Sequence, residues 1–246
     1  MAAVLIMAAA LLLSFFDFSF SGKSGGHITL PGEDTPDVGV DMEEYVSNLE
    51  MLQSVKIDRS NIKKLIGAMQ RPERYHLAAS TTIYYSGGQS TTAAECYVSG
   101  GRSRTMVFGP DGVVERHLLL SGEDVYIWKA GASTYYTGRA GSFTSDDLIY
   151  VPTYEKILEL EDDEILSADF SLYNEVYCIV VEAMDSRSGC RCLYYISVEE
   201  GLLVGAQRFE GETLVYALSA EVLAFPEQED DLFKLPDGTS VPAGTV

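Results

Sequence analysis

Between Tyr75 and Phe225 the chain reads as a train of short strands, broken at one place by a helix-like stretch. Tyr75 to Tyr85 alternates, with Leu77, Ala79, Thr81 and Ile83 on one face. Gly87-Gly88 turns the chain into Thr91 to Ser99, and Gly100-Gly101 turns it into Arg104 to Phe108. Pro110-Asp111-Gly112, a strong turn signal, leads to Val113 to Leu120. Val125 to Lys129 and a short strand at Thr134 to Thr137 follow. Thr144 to Leu160 changes character. Ser145 and Thr153 are candidate caps, and Tyr154, Ile157, Leu158 and Leu160 are spaced for a short amphipathic helix. Strands resume at Glu164 to Leu172, then a hairpin of Val176 to Ala183 and Cys190 to Val198, then Leu202 to Phe209 and Thr213 to Leu223. Such an antiparallel meander makes an open or closed barrel, whose concave face must be filled.

Two helices are predicted ahead of the strands. Asp41 to Val55 carries Met42, Tyr45, Val46, Leu49 and Leu52 at helical spacing. The second carries Ile62, Leu65, Ile66 and Met69, with Asp58 or Ser60 as its cap and Arg71-Pro72 as its end. The fold class expected is α+β and mainly antiparallel β: a half-open β-barrel with two N-terminal helices and a helical insert covering the concave face. Residues 1–21 are expected to be a signal peptide or membrane anchor, residues 22–40 a Gly-, Ser-, Pro- and Asp-rich tether, and residues 41–246 one domain.

Ala2 to Phe16 is an apolar run interrupted only by Ser14, shorter than the roughly twenty residues that cross a bilayer squarely. That length fits a signal h-region, with Ser19 and Ser21 as the small residues before a cleavage site at Gly22. No Lys or Arg precedes the run, so an uncleaved anchor to about Phe20 stays open. Either way the body is expected outside the cytoplasmic membrane, secreted or tethered by the N-terminal segment. The formal charge of -20 repels phosphate and anionic lipid surfaces, which argues against nucleic acid and against charge-driven membrane docking.

An exported chain permits disulfides. Cys190 and Cys192 are two apart on one strand and share a face, so they do not bond readily to each other. Cys178, on the preceding strand, is the expected partner of one of them, the alternative being buried free thiols. No fourth ligand completes a zinc set, and the acidic run Glu159 to Glu164 lacks the pattern of a calcium loop, so no metal and no cofactor is expected. His76 and His117 are expected to be solvated, and neither a nucleophile elbow nor a helix-opening Gly-rich loop is present. No catalytic residue is assigned.

Several segments resemble the LolA/LolB family of lipoprotein carriers and the related RseB-type domains. Asp111-Gly112 introduces a strand, and Gly122 to Trp128 resembles a family strand ending on an aromatic pair. Leu193 to Leu202 resembles a family hairpin, and Leu232 to Gly238 its closing segment. The resemblance spans roughly Asp41 to Val241. It implies an incomplete barrel around an apolar cavity, helices acting as a lid, and non-catalytic binding of acyl chains or lipidated proteins. The ligand-lining candidates are Tyr126, Trp128, Tyr154, Ile157 and Leu158. A membrane-anchored sensor or protein-interaction domain with a filled core is the alternative. The oligomeric state is left open.

Overall fold

The computed structural model describes residues 56–69, 71–139, 154–227 and 229–243. The expected helix at Asp41 to Val55, the N-terminal segment and the caps Ser145 and Thr153 lie outside them. The alternating stretches form eleven strands: β1 (Tyr75–Tyr85), β2 (Gly88–Ser99), β3 (Arg102–Phe108), β4 (Val114–Ser121), β5 (Asp124–Lys129), β6 (Tyr136–Arg139), β7 (Ile165–Tyr173), β8 (Val176–Asp185), β9 (Cys190–Ser197), β10 (Leu203–Glu210) and β11 (Thr213–Leu223). All belong to one sheet in the order β6-β5-β4-β3-β2-β1-β11-β10-β9-β8-β7. Two meanders are therefore joined at the centre by the antiparallel pair of β1 and β11. The sheet is open because β6 and β7 are its two edges, and the helical insert falls in sequence between them.

Strand register fixes two faces, since successive side chains point to opposite sides. Leu77 pairs with Cys96 and with Val222, so these three share a face. Carried outward through the ladders, the same face holds Leu118 and Ile127 on one side, and Leu218, Ala206, Tyr194 and Val181 on the other. Two short helices pack there: α1 (Ile62–Ala68) and α2 (Glu155–Leu158). We call it the helical face.

Helices of seven and four residues are too short to persist alone, so packing holds them. Ile62, Leu65 and Ile66 of α1 and Ile157 of α2 are fully buried in one cluster with Ala79, Ile179, Ile196 and Leu218. Each such side chain contributes about 1.5–3 kcal/mol by leaving water. Lys63 ties the two helices together, donating to the carbonyl of Leu160 and pairing with Asp162 at 2.8 Å. The expected caps are corrected. Asn61 is the N-cap of α1 and makes no side-chain cap bond. Asp58 instead accepts the Ile62 amide on its backbone carbonyl, at 3.1 Å, and the Ser60 amide and hydroxyl on its carboxylate, at 2.9 and 2.6 Å.

On the opposite face the ring of Tyr173 lies over Gly205 and stacks on Tyr195 with centroids 4.0 Å apart. A Cβ at Gly205 would stand 2.5 Å from the Tyr173 ring. Gly205→Ala is expected to cost about 1–3 kcal/mol in a urea titration, because the ring can yield only by breaking its stack. An unchanged midpoint would show that the ring is not held there.

Candidate ligand-binding faces

The five candidate lining residues do not form one surface. Tyr154 and Ile157 are buried on the helical face, and the half-buried Leu158 packs against the same cluster. Tyr126 pairs with Leu119 and Trp128 with His117, and the register turns all four to the other face. There Trp128, 5 % exposed, belongs to a separate cluster with Tyr97, Leu119, Phe233, Leu235 and Val241. The expectation of a single groove lined by all five is corrected by strand parity: Val125 and Ile127 of β5, not Tyr126 and Trp128, face the side of the helices.

What covers Trp128 is the C-terminal segment that runs from Phe225 through α3 (Glu229–Leu232) to Val241, a strap across β1–β5. It closes on itself, with the Val241 amide donating to Phe233 at 2.9 Å and the Leu235 amide to Thr239 at 2.9 Å. Three arginines of the sheet region grip it, Arg74 and Arg102 each through a strap ring and a carbonyl, Arg104 through two carbonyls. Arg74 lies 4.1 Å from the Phe225 centroid and donates to the Pro226 carbonyl at 3.2 Å. Arg102 lies 4.2 Å from Phe233 and donates to Val241 at 3.2 Å. Arg104 lies 5.1 Å from Trp128 and donates to the carbonyls of Leu232, at 2.7 Å, and Lys234, at 3.3 Å. Carbonyls of an irregular buried segment need donors, and a guanidinium offers several in one plane.

Neither histidine is solvated. His76 is buried, stacked on Tyr97 at 4.1 Å, and meets Glu95 at 3.3 Å and the Ala224 carbonyl at 3.2 Å. His117 is half-buried, stacked on Trp128 at 5.1 Å, with its Nδ1 3.0 Å from Arg104 Nη2. Burial and the neighbouring guanidinium push His117 down to about 4, so at neutral pH it is uncharged and Nδ1 accepts from Arg104. Both rings serve as flat packing surfaces beside charged groups, a role that isolated His positions in a sequence do not announce.

All four cysteines carry free thiols. Cys192 pairs with Ala183 and Cys190 with Asp185, both on the helical face, whereas Cys178 pairs with Ser197 on the other. Cys178 also sits five residues along β8 from Ala183, about 17 Å at the usual strand rise, so the expected pairing is out of reach. Burial pushes the Cys178 and Cys192 thiols up to about 11, which leaves them protonated at neutral pH.

The sequence reading missed Arg208, which is 1 % exposed on the helical face. It stands opposite Cys192, which stands opposite Ala183. Two small side chains in that row leave room for Arg208 to reach across β9 to Asp185 on β8, at 3.6 Å. Asp185 also accepts from the Arg187 amide at 3.0 Å and the Ser188 hydroxyl at 2.7 Å. Burial alone would raise its carboxyl; these hydrogen bonds and the Arg208 charge bring it below the usual range instead. The recognisable signal was an Arg in register with small residues on neighbouring strands.

Among the described residues no group of three His, Cys, Asp or Glu side chains is placed to hold a metal ion. No described helix is long and apolar enough to cross a membrane.

No protein-family model and no curated protein matches the chain. Solved structures similar to it include an uncharacterized conserved protein from Thermus thermophilus, at 10 % identity and a TM-score of 0.45, covering 74 % of this chain and 94 % of that one. The LolA superfamily protein NE2245 from Nitrosomonas europaea is similar at 10 % identity and a TM-score of 0.32, covering 73 % and 99 %. A putative outer membrane lipoprotein-sorting protein domain from Vibrio parahaemolyticus is similar at 10 % identity and 0.30, covering 70 % and 94 %.

Proposed function

We propose that this protein is a non-catalytic, extracytoplasmic binding protein that holds an apolar ligand, an acyl chain, a lipid or a lipidated protein, against the helical face of its sheet. One observation carries the reading. The helical face is apolar across almost its whole width, from Ile179 and Val181 on β8 through Leu77 on β1 to Val125 and Ile127 on β5. The two described helices serve only part of it: no residue of α1 or α2 belongs to the clusters around Leu77 or around Leu118, Val125 and Ile127. The residues of the other part, Leu77, Leu118, Val125 and Ile127, are themselves buried, so a ligand would be taken up there by displacing what covers them, next to the cluster that holds Tyr154, Ile157 and Leu158. Burial of acyl surface would supply about 25 cal/mol per square ångström, with no reacting group needed.

The test is native mass spectrometry with lipid extraction on the full-length protein purified from its own host's envelope. A co-purified acyl lipid or lipopeptide is expected. Leu158→Glu should lose it while the far-UV circular dichroism stays unchanged, because Leu158 is only half-buried. Protein that carries no lipid, and takes up none from envelope lipid vesicles, would refute the carrier reading and favour a sensor or scaffold with a filled core.

A further inference from the structure

The grip on the C-terminal strap contains one acceptor that a proton can remove. Arg104 holds three acceptors at once: the carbonyls of Leu232 and Lys234, which belong to the strap, and Nδ1 of His117, which belongs to β4. The third bond exists only while Nδ1 carries its lone pair. Protonation would turn an acceptor into a donor and set an imidazolium 3.0 Å from a guanidinium that is itself largely removed from water. His117 cannot retreat easily, since its other side is stacked on Trp128. Arg104 is the group that can swing away, and its bonds to the Leu232 and Lys234 carbonyls break when it does.

We propose that the strap is an acid-released latch: protonation of His117 displaces Arg104, and the segment from α3 to Val241 lifts from β3–β5 and uncovers Trp128, Tyr97 and Leu119.

The charged and titratable groups around His117 leave Arg104 in control. On β4 itself, Glu115 lies two residues away on the same face and is exposed. On β5 the facing side chains are Trp128 and Tyr126. On β2 Glu95 is engaged by the Tyr97 hydroxyl and by His76. From the strap, Lys234 is paired with Asp231 at 2.6 Å, and Asp237 accepts the Thr239 amide at 2.9 Å. Asp237 is held below the usual carboxylate range by that bond. The sign follows from linkage. His117 has a folded value near 4, against 6.5 when unconstrained, so the latched state takes up its proton last. The latch is fully favoured above about pH 6.5 and weakens progressively as pH falls toward 4.

The chain contains a single tryptophan, and it lies beneath the strap, so its emission reports the latch. The full-length protein is titrated from pH 7.5 to 3.5 while emission wavelength, acrylamide quenching and far-UV circular dichroism are followed. Intensity is set aside, because an imidazolium beside an indole quenches it without any movement. Emission is expected to shift red, with quenching increased, while the dichroism is retained. In His117→Asn the amide oxygen replaces Nδ1 as an acceptor that does not titrate, and the transition should move down by about one pH unit or more, into the carboxylate range. Asp237→Asn should leave the midpoint in place. Emission and dichroism that change together in the wild type would overturn the proposal, and that comparison needs no variant to fold. A midpoint unmoved in His117→Asn, or moved equally by Asp237→Asn, would overturn it too.

Discussion

Phe233→Ala is expected to lower the stability of the protein by about 3–5 kcal/mol and to shift the emission of Trp128 to the red at neutral pH. Phe233 is the centre of the strap and is 1 % exposed. Its ring contacts the cluster of Tyr97, Leu119 and Trp128, while the guanidinium of Arg102 covers it at 4.2 Å. Truncation removes the apolar transfer term, leaves a cavity, and strips Arg102 of an interaction worth about 0.5–2 kcal/mol. The segment around it cannot collapse to fill the gap without moving the carbonyls of Leu232, Lys234 and Val241 away from Arg104 and Arg102. Urea titration followed by emission and by far-UV circular dichroism measures both effects. A loss below about 1 kcal/mol with unchanged emission would mean that the strap is not seated on Trp128.

The Arg208–Asp185 pair predicts an asymmetric result. Asp185→Asn is expected to cost up to about 3–5 kcal/mol, because it removes a charge that offsets the burial of a guanidinium that is 1 % exposed. The amide oxygen of Asn can still accept from the Arg187 and Ser188 amides, which both meet Oδ1, while the Ser188 hydroxyl that donates to Oδ2 loses its acceptor, so the loss reports mainly the charge plus that one bond. Arg208→Met should cost far less. Asp185 is 21 % exposed and reaches water, and the Met side chain fills most of the row over Cys192 and Ala183. Equal losses from the two substitutions would refute the account. The pair also sets a pH window: with its carboxyl depressed, Asp185 supports the fold above the ordinary carboxylate range and loses that support as pH falls through it.

The strands were legible because alternation and turn residues agree along the whole train. β1 and β11 begin and end where period-two patterning places them, and Gly87, Gly112, Gly122 and Gly211 adopt the positive φ that their turns require. Face assignment was less legible for aromatic strands. Tyr126-Ile127-Trp128 offers a large apolar residue at every position, so composition marks no inner face; only the register with Leu118 and Leu119 decides it. The strap was visible as Leu232 to Gly238, but its seat was not. Arg74, Arg102 and Arg104 read as surface charges until the carbonyls they serve are known. Arg208 was hidden for a similar reason, since a buried cation is recognised by the small residues across the ladder and not by its own neighbours in sequence.

The central pair of β1 and β11 has a consequence for how the chain reaches this state. Within each meander every ladder joins consecutive strands, so hairpins can form from contacts close in sequence. The two halves are united through pairings such as His76 with Leu223, which lie 223 minus 76, or 147, residues apart. Closing that span costs conformational entropy before the central contacts repay it. The slow event in refolding is therefore expected at the β1–β11 seam. Substitutions there should slow folding, while equally destabilising ones in the outer hairpins should chiefly speed unfolding.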